Sequence, residues 1–238
     1  MKYPLAERIG KPGLLVGRED EFDDFYRWIE GMPEMLSMSR VILARRKSGK
    51  TSMVQRIFNK LWSDSGPVIP FYISIPDAKV WFPDFATRYF TTFASHYISF
   101  LERDEKLVNN ILSINQIREY AAAKSHELLK NDADLFVKYM DEALYDSLWR
   151  LACSAPDRYA THYDQRILII IDEFQYISNH VYPDAARQTR PDETMPGSFH
   201  DIVESKMAPM LVTGSYIGWM INIMSEYLEA GRLDRYYL

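Results

Sequence analysis

The run VIL at 41–43 is followed by ARRKSGKT at 44–51 and then by SMVQRIFNKLW at 52–62. The first run reads as a short buried strand. Apolar residues at 53/54, 57/58 and 61/62 recur at the spacing of an amphipathic helix. The local order is therefore strand, tight loop, helix, and few folds accommodate it. In that context Gly49, Lys50 and Thr51 close the pattern G-x-x-x-x-G-K-[ST]. A helix N-terminus presents unpaired N–H groups and a partial positive charge, both of which favour phosphate. Gly49 lets the backbone approach closely. Lys50 is placed to reach β- and γ-phosphates, and the Thr51 hydroxyl to ligate magnesium. Arg46, Lys47, Ser48 and Ser52 complete the expected nucleotide-binding stretch. The first glycine of the pattern is Ala44 here. Alanine tolerates a positive φ poorly, so altered loop geometry or weaker affinity is expected. The charges of Arg45, Arg46 and Lys47 would offset this.

A second segment supplies the other half of such a site. The aliphatic residues at 167–171 show no alternation, as in a strand buried on both faces. They run into Asp172 and Glu173, at the carboxyl end of the strand, where open α/β sheets bind ligands. Asp172 is the expected magnesium-side carboxylate. Glu173 is the candidate general base for a water attacking a γ-phosphate. A third core strand, MLVTGS at 210–215, ends in small polar residues. Thr213 or Ser215 would orient the attacking water or sense the γ-phosphate. The residues alone fit Ser215 equally well as a helix N-cap.

Composition narrows the setting. Of 238 residues 47% are apolar, enough for a substantial core, and the length fits one large domain or one plus a partial second. The net charge of −5 argues against nonspecific DNA binding. Cys153 is the single cysteine, which rules out an internal disulfide. No run approaches the ~20 apolar residues of a membrane span. The first residues lack the apolar stretch of a signal peptide. A cytoplasmic location without membrane attachment is expected. The five histidines show no metal-ligand spacing.

Residues 19–30 read as a helix, and VIPFYISI at 68–75 as a further strand. The aromatic series Phe85, Tyr89, Phe93, Tyr97 and Phe100 has helical spacing and belongs to a core. Residues 102–131 read as helical, and 133–152 as one strongly patterned helix. Residues 178–197 are polar with three prolines and read as an exposed, mobile loop. Such a loop offers a surface for a protein partner or for self-association.

VGREDEF at 16–22, ARRKSGKTS, PFYISI, ILIIIDEFQYI and GSYIGWM occur in this order. Together they resemble the archaeal-type ATPases of the AAA+/STAND group, which are related to origin-recognition ATPases. The resemblance spans nearly the whole chain. It implies a three-layer α/β P-loop fold of the ASCE/AAA+ type, with a parallel five-stranded sheet in the order 5-1-4-3-2. The strands would lie near 41–44, 68–75, 167–171, 210–214 and 234–238. It implies Val16 and Gly17 near the adenine, Lys50 and Thr51 at phosphate and Mg2+, and Asp172 with Glu173 as the acidic pair. Ser215 would then be a γ-phosphate sensor. The chain would be one ATPase core over 1–238, with a helical insertion at about 84–160. Family members continue into a helical lid and effector domains. These are expected to be absent beyond Leu238, and hydrolysis to be slow without them.

ATP and Mg2+ are the expected ligands, ATP over GTP because no NKxD stretch occurs. The leading expectation is an ATPase acting as a nucleotide-driven switch or remodelling motor. The alternative is a nucleotide-binding scaffold that hydrolyses little and recruits partners. A small-molecule kinase fits poorly with the strand at 68–75 and with Glu173. DNA association follows only from the likeness to origin-recognition ATPases. Arg232 and Arg235 are candidates for a finger reaching a neighbour's γ-phosphate.

Overall fold

The computed structural model describes residues 1–228 and 233–238. In chain order the elements are α1 (Glu19–Glu30), β1 (Arg40–Leu43), α2 (Lys50–Asp64), β2 (Val68–Ser74), β3 (Val80–Trp81) and α3 (Phe82–Glu102). Then come α4 (Ile114–Ala123), α5 (Glu127–Asp141), α6 (Tyr145–His162), β4 (Arg166–Asp172), α7 (Tyr176–His180) and β5 (Val181–Tyr182). The chain continues with β6 (Met210–Gly214), α8 (Ile217–Glu226) and β7 (Asp234–Tyr237).

Five strands form one all-parallel sheet in the order β2-β4-β6-β1-β7. Numbered among themselves in chain order, these strands run 5-1-4-3-2 from the β7 side, as the resemblance implied. Two short strands, β3 and β5, pair separately and were not read from the sequence.

Strand periodicity explains the three layers. Ile167, Ile169 and Ile171 of β4 face one cluster with Phe85, Phe93 and Tyr159 of α3 and α6. Leu168 and Ile170 face the other, with Phe25 and Trp28 of α1 and Ile57 and Phe58 of α2. Successive strand side chains point to opposite faces, so a strand covered on both faces must be apolar throughout. Burying each such side chain stabilises the fold by about 1.5–3 kcal/mol.

The β2 edge is closed by side chains. Pro70 has no N–H to donate, which suits an edge strand. The N–H of Tyr72 donates to Nδ1 of His96 at 3.3 Å, and Arg88 donates to the Ser74 carbonyl at 3.0 Å. Trp62 of α2 donates to Ser99 of α3 at 2.9 Å, joining the two helical layers around this edge. His96 is buried, and its Nε2 lies 3.2 Å from the Val108 carbonyl. That carbonyl can only accept, so Nε2 carries the proton and Nδ1 is free to accept from Tyr72.

Two sequence expectations need correction. Residues 133–152 are not one helix. α5 ends at Asp141 and α6 begins at Tyr145. Ala143 adopts the left-handed conformation at φ 55°, and Leu144 N–H returns to the Tyr139 carbonyl at 2.8 Å. This is a Schellman-type stop made without glycine, so the apolar pattern ran through it unmarked. Residues 178–197 are not one exposed loop either. They begin in α7, pass through β5, and end in a 3-10 turn where Met195 and Pro196 are buried. The prolines marked turns, while Met195 was drawn into the core beside Phe199.

Burial holds the His96 pKa down at about 4, below its ordinary value of 6.5. Between those values the unfolded chain binds a proton that the folded chain refuses. Stability is therefore full above pH 6.5 and falls as the pH drops toward 4, by up to about 3 kcal/mol. Urea titrations at several pH values should show this slope. His96→Asn, which keeps an acceptor near Nδ1, should flatten it.

Candidate nucleotide and hydrolysis site

Strands β1, β4 and β6 are neighbours, and their carboxyl ends deliver the predicted residues to one place. Buried Asp172 is the centre of the arrangement, with 0% of its surface exposed. Its Oδ2 accepts from Thr51 Oγ1 at 2.8 Å and from Tyr72 OH at 3.3 Å. Its Oδ1 accepts from Thr213 Oγ1. A buried carboxylate without such partners would be strongly destabilising. Here three neutral hydroxyls from three different elements share it.

The phosphate-type loop leaves β1 at Ala44 and enters α2 at Lys50. Ala44 does not lie at positive φ. The left-handed positions are Lys47, at φ 64°, and Gly49, at φ 88°. The expected penalty at Ala44 is therefore absent, and the backbone strain falls on Lys47. Lys50 is buried and donates from Nζ to the carbonyls of Ala44 and Arg45 at 3.0 and 2.9 Å. Burial lowers its pKa, and the nearby charges of Glu173 and Asp172 oppose that shift. The N-cap residue of α2 is Gly49, with no side-chain cap and no acidic residue in the first turn. The helix N-terminus thus keeps its unpaired donors. The hydroxyl of Ser48 is buried without a hydrogen-bond partner. Ser52 is half-buried on the first turn of α2.

Glu173 follows the strand in a left-handed conformation, φ 57°. This non-glycine strain turns the chain off the sheet. The Glu173 carboxylate accepts from Ser215 Oγ, at 3.1 Å to Oε2, and from Gln175 Nε2 at 2.5 Å. Gln175 in turn accepts from the Ser215 N–H at 3.1 Å. Ser215 is not the N-cap of α8, since Tyr216 takes that position. Gly214 lets this triangle close, because an added Cβ would come within 2.8 Å of Gln175 Oε1.

Val16 and Gly17 lie apart from this network. Val16 is 80% exposed, and Gly17 sits at φ 77°. The segment is tied to the loop by the next residue, Arg18, which donates to the Ser48 carbonyl at 2.7 Å and pairs with Glu21 at 3.0 Å. Sequence reasoning gave no role to Arg18, Tyr72 or Gln175. Arg18 and Gln175 stand inside VGREDEF and IDEFQ. Tyr72 had no signal beyond its place in an apolar strand. Arg235 is exposed on the edge strand β7, remote from the Asp172 cluster, and Arg232 lies outside the described residues.

On the other side of the loop is an open cavity of about 710 Å³. Arg46, Asp77, Tyr176, His180, Ser215 and Tyr216 are among its walls.

The chain superimposes on the Walker-type ATPase PABY2304 of Pyrococcus abyssi with a TM-score of 0.55 and 14% identity. The match covers 98% of this chain and 55% of that one. At that identity the likeness is one of fold, a parallel sheet flanked by helices. The ORC2 protein of Aeropyrum pernix, in ADPNP–ADP complexes, also matches, with a TM-score of 0.42 and 14% identity. That match covers 94% of this chain and 48% of the other. The chain therefore spans about half the length of these solved structures. No protein-family model and no curated protein matches the sequence. No helix among the described residues is long and apolar enough to cross a membrane.

Gly214→Ala should push Gln175 and Met220 apart, because both would meet the new methyl within 2.8 Å. The expected loss is about 1–3 kcal/mol, as for other overpacked sites. Denaturant unfolding checks it.

Proposed function

We propose that this chain binds ATP with Mg2+ and hydrolyses it, as the core of a nucleotide-driven switch. The observation that carries the reading is the hydrogen bond from Thr51 to Asp172 at 2.8 Å. It brings the end of the phosphate-type loop against the acidic strand, with Glu173 one residue beyond.

The residues fit the ligands. The uncapped α2 N-terminus, the unpaired Ser48 hydroxyl and the Lys50 ammonium form a donor set suited to phosphate oxygens. Lys50 would exchange two loop carbonyls for β- and γ-phosphate oxygens. Thr51 and Asp172 would hold Mg2+, one hydroxyl and one carboxylate, with phosphate oxygens and water completing the shell. No group of three or more His, Cys, Asp or Glu suited to a metal occurs among the described residues. When bound, Mg2+ would neutralise charge gathering on the phosphates.

Glu173 would take the proton of the attacking water, and Ser215 would place both. Val16 and Gly17 would lie toward the adenine, on the side of the loop tied down by Arg18. The likeness of the motifs to AAA+/STAND ATPases supports a switch in which γ-phosphate contacts hold one arrangement and hydrolysis releases it. In such a switch the left-handed Glu173 and its hydrogen bonds to Ser215 and Gln175 would be the contacts exchanged. The same bonds favour a second reading, a scaffold that binds ATP and turns it over little. A carboxylate already satisfied by two donors is a weaker base.

Calorimetric titration of Mg-ATP tests the site. Lys50→Ala should bind about 10- to 100-fold more weakly, the value of a charge-assisted hydrogen bond. Glu173→Gln should keep binding while turnover falls by about 10²–10⁴-fold. Wild-type chain that binds no nucleotide would refute the reading. Binding with turnover insensitive to Glu173→Gln would leave only the scaffold.

A further inference from the structure

Arg46 is held at a particular place without being neutralised. Its Nη2 donates to the phenol oxygens of Tyr216 at 3.2 Å and Tyr176 at 3.5 Å, and its guanidinium lies 5.2 Å from the Tyr216 ring centre. It pairs with no carboxylate among the described residues. Tyr176 donates its own proton to Asp77 at 3.0 Å, so its lone pairs are left facing Arg46. His180 steadies Asp77 from the other side at 3.2 Å.

The two tyrosines are not incidental neighbours. Tyr176 follows Asp172 and Glu173 on the segment after β4. Tyr216 directly follows Ser215 at the end of β6. The two strands that supply the acidic pair and its serine partner thus also supply the clamp on Arg46. Arg46 and Ser215 line the same cavity, and Ser215 bonds to Glu173. Arg18 grips the loop at Ser48, on the other flank. The loop therefore has two flanks: one tied to the segment carrying Val16, and one on which Arg46 lines a cavity with Ser215, the partner of Glu173. The hydrogen bond to Tyr176 is the main cause that raises the Arg46 pKa, with Tyr216 and, least of all, the charge of Glu173 adding to it.

Resting on the hydrolysis reading above, we propose that Arg46 is a catalytic residue that contacts the γ-phosphate from within the same chain. In the reaction the water oxygen bonds to the γ-phosphorus while the bond to the β–γ bridging oxygen breaks. Glu173 accepts the water proton, and ADP leaves with the bonding pair on its β-phosphate. Charge shifts onto the γ-oxygens and the bridging oxygen as this happens. A guanidinium held only by long phenol contacts releases them readily for phosphate oxygens, to which its planar fork is matched. Phosphate capture would also free Tyr176 and Tyr216, reshaping the cavity walls in step with the nucleotide.

The test combines titrations with ADP and a non-hydrolysable ATP analogue, each with Mg2+, and steady-state hydrolysis. Arg46 is exposed, so Arg46→Ala should fold. The expected result is unchanged ADP affinity, analogue affinity weakened about 10-fold, and kcat lowered by about 10²-fold or more. Arg46→Lys, with charge but no fork, should recover only part of the kcat. Analogue affinity and kcat within twofold of wild type would overturn the proposal while leaving the hydrolysis reading intact. Equal loss of ADP and analogue binding would make Arg46 a loop-positioning residue and overturn it as well. A wild-type chain that binds neither nucleotide would remove both readings.

Discussion

The arrangement at the sheet's carboxyl end depends on one buried charge. Asp172 has no exposed surface and no ammonium or guanidinium in hydrogen-bond contact, only the hydroxyls of Thr51, Thr213 and Tyr72. A carboxylate in that position is tolerated only when its lone pairs are satisfied. Each donor comes from a different element: the first turn of α2, the end of β6, and β2. Satisfying Asp172 therefore fixes the relative positions of the loop and the strand tips. The register of β4 against β2 and β6 must be correct for those hydroxyls to meet it.

Two further contacts set the boundaries of the site. Arg18 ties the segment before α1 to the loop through the Ser48 carbonyl. The N-terminal residues then run along α2, where Leu5 and Arg8 donate backbone N–H groups to Asn59 and Gln55. At the opposite flank, Glu173, Gln175 and Ser215 form a closed polar triangle above Gly214. Three of the left-handed non-glycine residues stand at the same places. Arg18, Lys47 and Glu173 all take left-handed conformations that side chains disfavour. Such strain persists only where the surrounding contacts over-determine it. Here the contacts that do so are those of the loop and the acidic strand.

Much of this was legible in the residues. The loop pattern, the unbroken aliphatic run before Asp172 and the helical spacing after Thr51 are short-range signals, and each element formed where its pattern placed it. The strand order followed from a resemblance carried by five motifs in sequence. The misreadings have local causes. Ala143 stopped a helix without glycine or proline, so periodicity carried the expectation from α5 into α6. The prolines of 178–197 signalled turns correctly, but Met195 and Phe199 draw the end of that segment into the core. The concern over Ala44 assumed that the first loop position needs a positive φ, whereas the chain places that demand on Lys47 and Gly49.

By itself the sequence determined where the phosphate-type loop pattern and the acidic strand end lie, and which strands are buried on both faces. Those properties reside in residue type and in spacings of two to four positions. The tertiary structure decided which hydroxyls share Asp172, that Gln175 and Ser215 hold Glu173, and that Tyr176 and Tyr216 clamp Arg46. Apart from Gln175, which is two positions from Glu173, these partners are separated by 41 to 170 positions in the chain. They meet only because parallel strands from distant segments end side by side, and no local pattern encodes that neighbourhood.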